Sequence, residues 1–155
     1  MAKNMTITLE QQKIISHPLR SQIIMLLYDQ TMTAKQVATH LGKSGGSVHY
    51  HIQKLYNHGI LKLDHEDTSK GIVEKYYRSK ALSFTLEDQD YTKKSSVHTK
   101  NSATLTLSPE ELEQFNERLQ ELIVEFARHS VSSHKKRVAY RVECTISHDE
   151  EDEAE

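Results

Sequence analysis

Three helix starts and two glycine stops fall between Pro18 and Gly59, and that spacing allows only short helices joined by tight turns. Pro18 suits the first turn of a helix, where its missing N–H costs no hydrogen bond. Leu19, Ile23 and Leu26/Leu27 then recur at helical spacing, which predicts a helix over 18–28. A shorter helix over 8–15 precedes it, and residues 29–32 form a break. Thr33 with Gln36 three residues later has the form of a capping box. Ala34, Val37, Ala38 and Leu41 supply an apolar face, and Gly42 stops this second helix. Ser44 caps a third, whose Val48, Ile52 and Leu55 line one side before Gly59 ends it.

Beyond Gly59 the pattern changes to extended chain. Ile60-Leu61-Lys62-Leu63 and Ile72-Val73-Glu74-Lys75-Tyr76-Tyr77-Arg78 flank a polar turn over 64–71, which predicts a hairpin with a long tip. Of Tyr76 and Tyr77, one should face inward and one outward, and at least two of Tyr50, Tyr56, Tyr76 and Tyr77 are expected in the core. Helix, helix, turn, helix, hairpin is the element order of a winged helix-turn-helix. The expected domain covers 1–86, with a partly ordered linker over 87–102.

The remainder reads as a small strand-helix-strand region over 103–148, a candidate assembly or effector surface. Ala103-Thr104-Leu105-Thr106-Leu107 alternates. Ser108, Pro109 and Glu111 make a strong helix start, and Leu112, Phe115, Leu119, Leu122/Ile123 and Phe126 continue an apolar stripe to about residue 130. Val138, Tyr140, Val142, Cys144 and Ile146 occupy every second position, the clearest strand signal in the chain. Such a region cannot readily bury itself alone and needs the first domain or a second subunit to complete a core. Residues 149–155 form an acidic tail. The fold class is α+β: a winged helix-turn-helix followed by this smaller region.

Charge sharpens the division. The chain has 20 Lys+Arg against 22 Asp+Glu, a net of -2, which excludes a histone-like basic protein. Residues 1–80, however, hold 11 basic and 6 acidic residues, whereas 81–155 hold 9 and 16. The first half is a basic head and the second an acidic partner. One cysteine, Cys144, permits neither an intramolecular disulfide nor a cysteine cluster, and its place in the alternating stripe predicts packing. No apolar run approaches the roughly 20 residues that span a bilayer, and the start lacks an apolar signal region, so a soluble cytoplasmic protein without membrane partners is expected.

The third helix carries the chemistry. Its apolar side leaves Gly45, Gly46, Ser47, His49, Tyr50 and Gln53 to face a major groove and read base edges. Gly45 and Gly46 allow close approach of free N–H groups to a phosphate or base. Lys43, Lys54, Lys70, Lys75 and Arg78 are the candidate phosphate contacts, with Glu66, Asp67 and Glu74 weakening the wing as a clamp. The 10 histidines show no paired metal-ligand spacing, since His49 and His51 point in different directions on a helix. Neither a metal nor another cofactor is expected, and no nucleophile, phosphate-loop or metalloprotease motif points to an enzyme.

HPLRSQIIMLLYDQTMTAKQVATHLGKSGGSVHYHIQKLYNHGILKL, followed by GIVEKYYRSKA, resembles the ArsR-like winged-helix transcriptional regulators over roughly residues 17–84. Leu41-Gly42 matches the end of that family's first motif helix. Ser44, Ser47, Val48, His49, Tyr50, His51, Ile52 and Leu55 resemble its recognition helix, and His58-Gly59-Ile60-Leu61 its turn into the wing. The resemblance implies a homodimeric repressor or activator that binds inverted repeats in double-stranded DNA, often under a small-molecule effector, here of unknown identity. Residues 33–40 hold no cysteine, so the family's arsenic- and cadmium-sensing signature is missing. The added C-terminal region resembles that of a larger subgroup. The competing expectation is a winged-helix module for protein–protein assembly, with little or no DNA binding.

Overall fold

The computed structural model describes residues 3–87, 101–129, 131 and 136–148. Most of the expected linker and all of the expected acidic tail lie outside these residues. The chain divides into two compact units, Met1–Thr106 and Leu107–Glu155.

In the first unit the order is β1 (Asn4–Ile7), α1 (Leu9–Ile15), α2 (Pro18–Asp29), α3 (Ala34–Leu41), α4 (Gly45–Asn57), β2 (Leu61–Asp67), β3 (Glu74–Ser79) and β4 (Ser83–Leu86). Side chains set the helix starts. Thr8 and Gln11 close a capping box on α1, and Thr33 and Gln36 close a second on α3, with bonds of 2.9 and 3.2 Å in each. Pro18 opens α2, where the His17 ring accepts the Leu19 N–H at 3.2 Å. Ser44 Oγ accepts the Ser47 N–H at 3.2 Å to open α4. Gly42 ends α3 at φ 64°, a left-handed conformation that costs a side chain roughly 1–2 kcal/mol.

The core gathers Leu19, Ile23, Ile24 and Leu27 of α2, Val37 and Ala38 of α3, and Val48, Ile52 and Leu55 of α4. Ile60, Leu61 and Tyr77 add the base of the hairpin. Each aliphatic side chain fully removed from water contributes about 1.5–3 kcal/mol, so the helix-turn-helix and the wing stand on one apolar cluster.

Strands β2 and β3 pair antiparallel from Leu61↔Ser79 to Asp67↔Glu74. Asp64 is the extra residue in the ladder: Leu63 pairs with Tyr77 and His65 with Tyr76. β2 runs past the expected Leu63 to Asp67, whereas β3 begins at Glu74 rather than at the expected Ile72, so the tip shifts and narrows to 68–73 with Ile72 and Val73 exposed in it. Tyr77 is buried and Tyr76 half-buried, as adjacent strand residues should be. Two core tyrosines were expected among four, but only Tyr77 is buried; Tyr50 and Tyr56 lie on the outer side of α4. Met32 bridges to Tyr77 beside the hairpin. Parallel pairing of β1 with β4, Asn4↔Ser83 to Ile7↔Leu86, was not expected from sequence.

In the second unit α5 spans Pro109–His129, with Ser108 accepting the Glu111 N–H at 3.2 Å and Glu111 accepting the Ser108 N–H at 2.8 Å. None of its residues is buried. The strands expected at 103–107 and 138–146 carry no ladder among the described residues. Strand geometry needs a partner edge to take up its N–H and C=O groups, and no described residue pairs with these segments in a ladder. Cys144, expected to pack, is exposed for the same reason.

Candidate nucleic-acid interface

Helix α4 is seated from one side only. Val48, Ile52 and Leu55 are fully buried, whereas Gly45, Gly46, His49 and Tyr50 are exposed and Ser47, Gln53 and Lys54 half-buried. A Cβ built on Gly45 or Gly46 would meet nothing within 4 Å. The protein's own packing therefore does not demand glycine at the tip of this helix, although glycine weakens helices. The Gly-Gly tip leaves its first N–H groups open to an approaching anion.

The outward side chains are organised. Lys54 donates to the Tyr50 hydroxyl at 3.3 Å and lies 5.5 Å from the ring centroid, so cation and phenol form one i, i+4 unit. Gln53 donates to the Tyr77 hydroxyl at 3.0 Å, which ties the helix to the wing strand β3. Lys43 is exposed beside the Ser44 cap. Lys35, on the outer side of α3, is equally exposed and was not singled out from sequence. The signal was available, because Ala34, Val37, Ala38 and Leu41 leave that side of α3 to solvent.

A second feature escaped sequence reasoning. His51, 2% exposed, places Nδ1 3.1 Å from an Arg20 guanidinium nitrogen, itself buried on α2. Arginine can only donate, so Nδ1 accepts and the ring proton sits on Nε2. The His17 ring lies 4.7 Å from that of His51. This buried polar contact joins α4 to α2 beside the apolar cluster the two helices share.

The wing differs from a free basic arm. Lys70 pairs with Glu74 at 3.2 Å, Lys75 with Glu66 at 3.8 Å and Arg78 with Asp64 at 3.7 Å. All three candidate phosphate contacts of the wing thus already face a carboxylate. The hydrogen bond to Glu74 holds Lys70 above the usual lysine range. His65, bonded to Asp64 at 2.9 Å, holds that carboxyl below the usual carboxylate range, with Arg78 and Lys62 adding to the effect. A depressed carboxyl stabilises the fold above its unfolded pKa of about 3.9 and loses that contribution as pH falls. Amide exchange in β2 and β3 should therefore accelerate below that pH in the native chain, and less so in Asp64→Asn. Equal acid responses would show that the bulge contact contributes nothing.

Among the described residues no three of His, Cys, Asp or Glu gather to hold a metal ion, and no helix is long and apolar enough to cross a membrane.

A capped helix pair on one core, an outward-facing second helix and an antiparallel hairpin behind it define a winged helix-turn-helix domain. Residues 15–64 match the family model described as a helix-turn-helix domain. The ArsR-like resemblance thus coincides with a recognised helix-turn-helix segment. Similar solved structures include reduced HlyU from Vibrio cholerae N16961, 19% identical over 44% of this chain and 66% of that one, TM-score 0.38. Another is the homodimeric winged helix-turn-helix DNA-binding domain of Mb0332 from Mycobacterium bovis, described as a possible ArsR-family transcriptional regulator. It is 25% identical over 44% of this chain and 59% of that fragment, TM-score 0.39. The transcriptional repressor BigR from Xylella fastidiosa is 20% identical over 47% and 70%, TM-score 0.39. The chain therefore spans less than two thirds of the first two. No match is found among curated proteins.

Proposed function

We propose that this chain is a sequence-specific transcriptional regulator of duplex DNA, acting as a homodimer on an inverted repeat. The observation that carries it is the open Gly45-Gly46 tip of α4 beside exposed His49 and Tyr50, on a helix whose other face is wholly buried. An α-helix fits the major groove and places its N-terminal residues at base edges. Gly45, Gly46, Ser47, His49 and Tyr50 read bases in this arrangement, with Gln53 held back by Tyr77. Lys43 and the Tyr50–Lys54 unit are the first phosphate contacts. Lys70, Lys75 and Arg78 contribute only by exchanging a carboxylate for a phosphate. Two-fold symmetry sets two such helices about 34 Å apart, in successive major grooves.

Gly46→Ala separates folding from recognition. In the protein alone the new methyl group meets open space, so stability should hold or rise by up to about 1 kcal/mol. At a groove, the same methyl keeps the helix tip from close approach and should weaken binding to a selected genomic fragment roughly tenfold or more. Thermal melts and fluorescence anisotropy at fixed salt measure the two effects. A variant that melts higher and binds unchanged would sink the placement of this tip against DNA. The wing's paired cations favour a second reading, a protein–protein assembly module, and the absence of any sequence-selective retention over competitor DNA would select it.

A further inference from the structure

Residues 136–148 present the strongest strand pattern in the chain and take part in no ladder among the described residues. Val138, Tyr140, Val142 and Ile146 are 67%, 64%, 75% and 44% exposed, and Cys144 is exposed with them. Ala139, Arg141, Glu143, Thr145 and Ser147 take the alternate positions, so one face is apolar and the other polar. An edge of this kind, left open, invites pairing with another chain.

From this pattern we infer that residues 138–146 pair antiparallel with the same residues of a second copy, about a two-fold axis at Val142. The inference deepens the homodimer of the proposed function and rests on that part of it. Three features point to this occupant and register. First, a two-fold axis at Val142 pairs all five apolar residues on one face: Val138 with Ile146, Tyr140 with Cys144, and Val142 with itself. Moving the axis to Tyr140 or Cys144 strands two of them.

Second, the polar face is self-complementary in charge about the same point. Arg141 falls opposite Glu143 of the second copy, and the pair occurs twice across the axis. Within one chain these two lie 4.0 Å apart on the same face, so each can exchange its neighbour for the opposite residue across the ladder. Lys136 and Arg137 are carried toward the end of the other strand, after which the sequence turns acidic.

Third, the apolar face of the paired strands needs a cover, and the same unit holds one. Helix α5 exposes Leu112, Phe115, Leu122 and Phe126 with half-buried Leu119 between them. Its 21 residues rise about 31 Å at ~1.5 Å each, and a nine-residue strand extends about 30 Å at ~3.3 Å each. The helix carries six Glu against two Arg, opposite in sign to the Lys136, Arg137 and Arg141 strand. Two strands under two such helices bury what one chain cannot.

Cross-linking of the full chain tests the register. Directly opposed residues have Cα atoms about 4.5–5.5 Å apart, inside the roughly 4.4–6.8 Å window of a disulfide. Val142→Cys in a Cys144→Ser background should therefore form an intermolecular disulfide almost completely under mild oxidation without DNA. The native Cys144 and its symmetry mate stand four residues apart along the ladder, about 13 Å, and should stay unlinked. Arg141→Glu and Glu143→Arg should each weaken the dimer roughly tenfold by sedimentation, and the double exchange should restore it. Linkage through native Cys144, or a double exchange as weak as the singles, would overturn the register. A protein that sediments as a dimer yet fails to link at 142 overturns the strand pairing and leaves the two-fold reading standing.

Discussion

Ile52→Ala should cost the first unit about 2–5 kcal/mol, a large share of the roughly 5–15 kcal/mol that holds a domain of this size folded. Ile52 is fully buried midway along α4, in one cluster with Ile23 and Leu27 of α2 and Val37 of α3. Truncation removes three carbons from that cluster and leaves a cavity that the surrounding helices must close over. Since 1 kcal/mol shifts the melting temperature of a small domain by about 4–8 °C, the midpoint should fall by at least ~8 °C. Differential scanning calorimetry measures it directly. A change under a couple of degrees would mean that α4 is not held from this side, and the exposed face assigned to DNA would lose its basis. The neighbouring contact of Arg20 with His51 acts on the same helix by a different force. It joins α4 to α2 through a hydrogen bond, whereas Ile52 holds α4 through the volume it fills.

The second large effect concerns recognition. His49→Ala and Tyr50→Ala change exposed positions, so melting should barely move. Each should reduce the preference for the cognate site over random DNA by about 1–3 kcal/mol, or 5- to 150-fold. Lys54→Ala should behave differently, weakening cognate and random DNA alike and flattening the salt dependence by about one unit of slope. Part of the Lys54 effect will pass through Tyr50, because the two side chains form one unit. The double variant should therefore fall short of the sum of the singles. Anisotropy titrations at several salt concentrations separate these outcomes. Equal losses on cognate and random DNA for all three variants would refute base reading by this face.

Local signals carried most of the first unit. Thr33 with Gln36, Ser44, Pro18 and Gly42 each act within one turn of chain, through a hydrogen bond or a backbone angle that nearby residues decide alone. Val48, Ile52 and Leu55 announce the buried face of α4 by spacing, and its outward residues follow by subtraction. What spacing cannot convey is who meets whom at long range. Asn4 and Thr85 are bonded at 3.0 Å across 81 positions of sequence. Neither neighbourhood holds anything that names the other, so the β1–β4 pair went unread. Arg20 and His51 are 31 positions apart and look like ordinary surface residues until two helices press them together.

Charge followed the same division. Sequence places Glu66, Asp67 and Glu74 near Lys70, Lys75 and Arg78 without saying which faces which, whereas the hairpin brings Lys75 to Glu66 and Arg78 to Asp64 across its two strands and leaves Lys70 against Glu74 on the same side of the tip. Alternation over 138–146 reports which face of a strand is apolar, but says nothing of the edge it pairs with.

The order of short capped helices and hairpin, the side of α4 that is buried and the glycines at its tip were therefore determined by sequence alone, since caps and periodicity act over three or four residues. Tertiary structure alone decided the pairing of β1 with β4 and the buried Arg20–His51 contact. Those depend on distances between residues far apart in the chain, and only the packed core sets such distances.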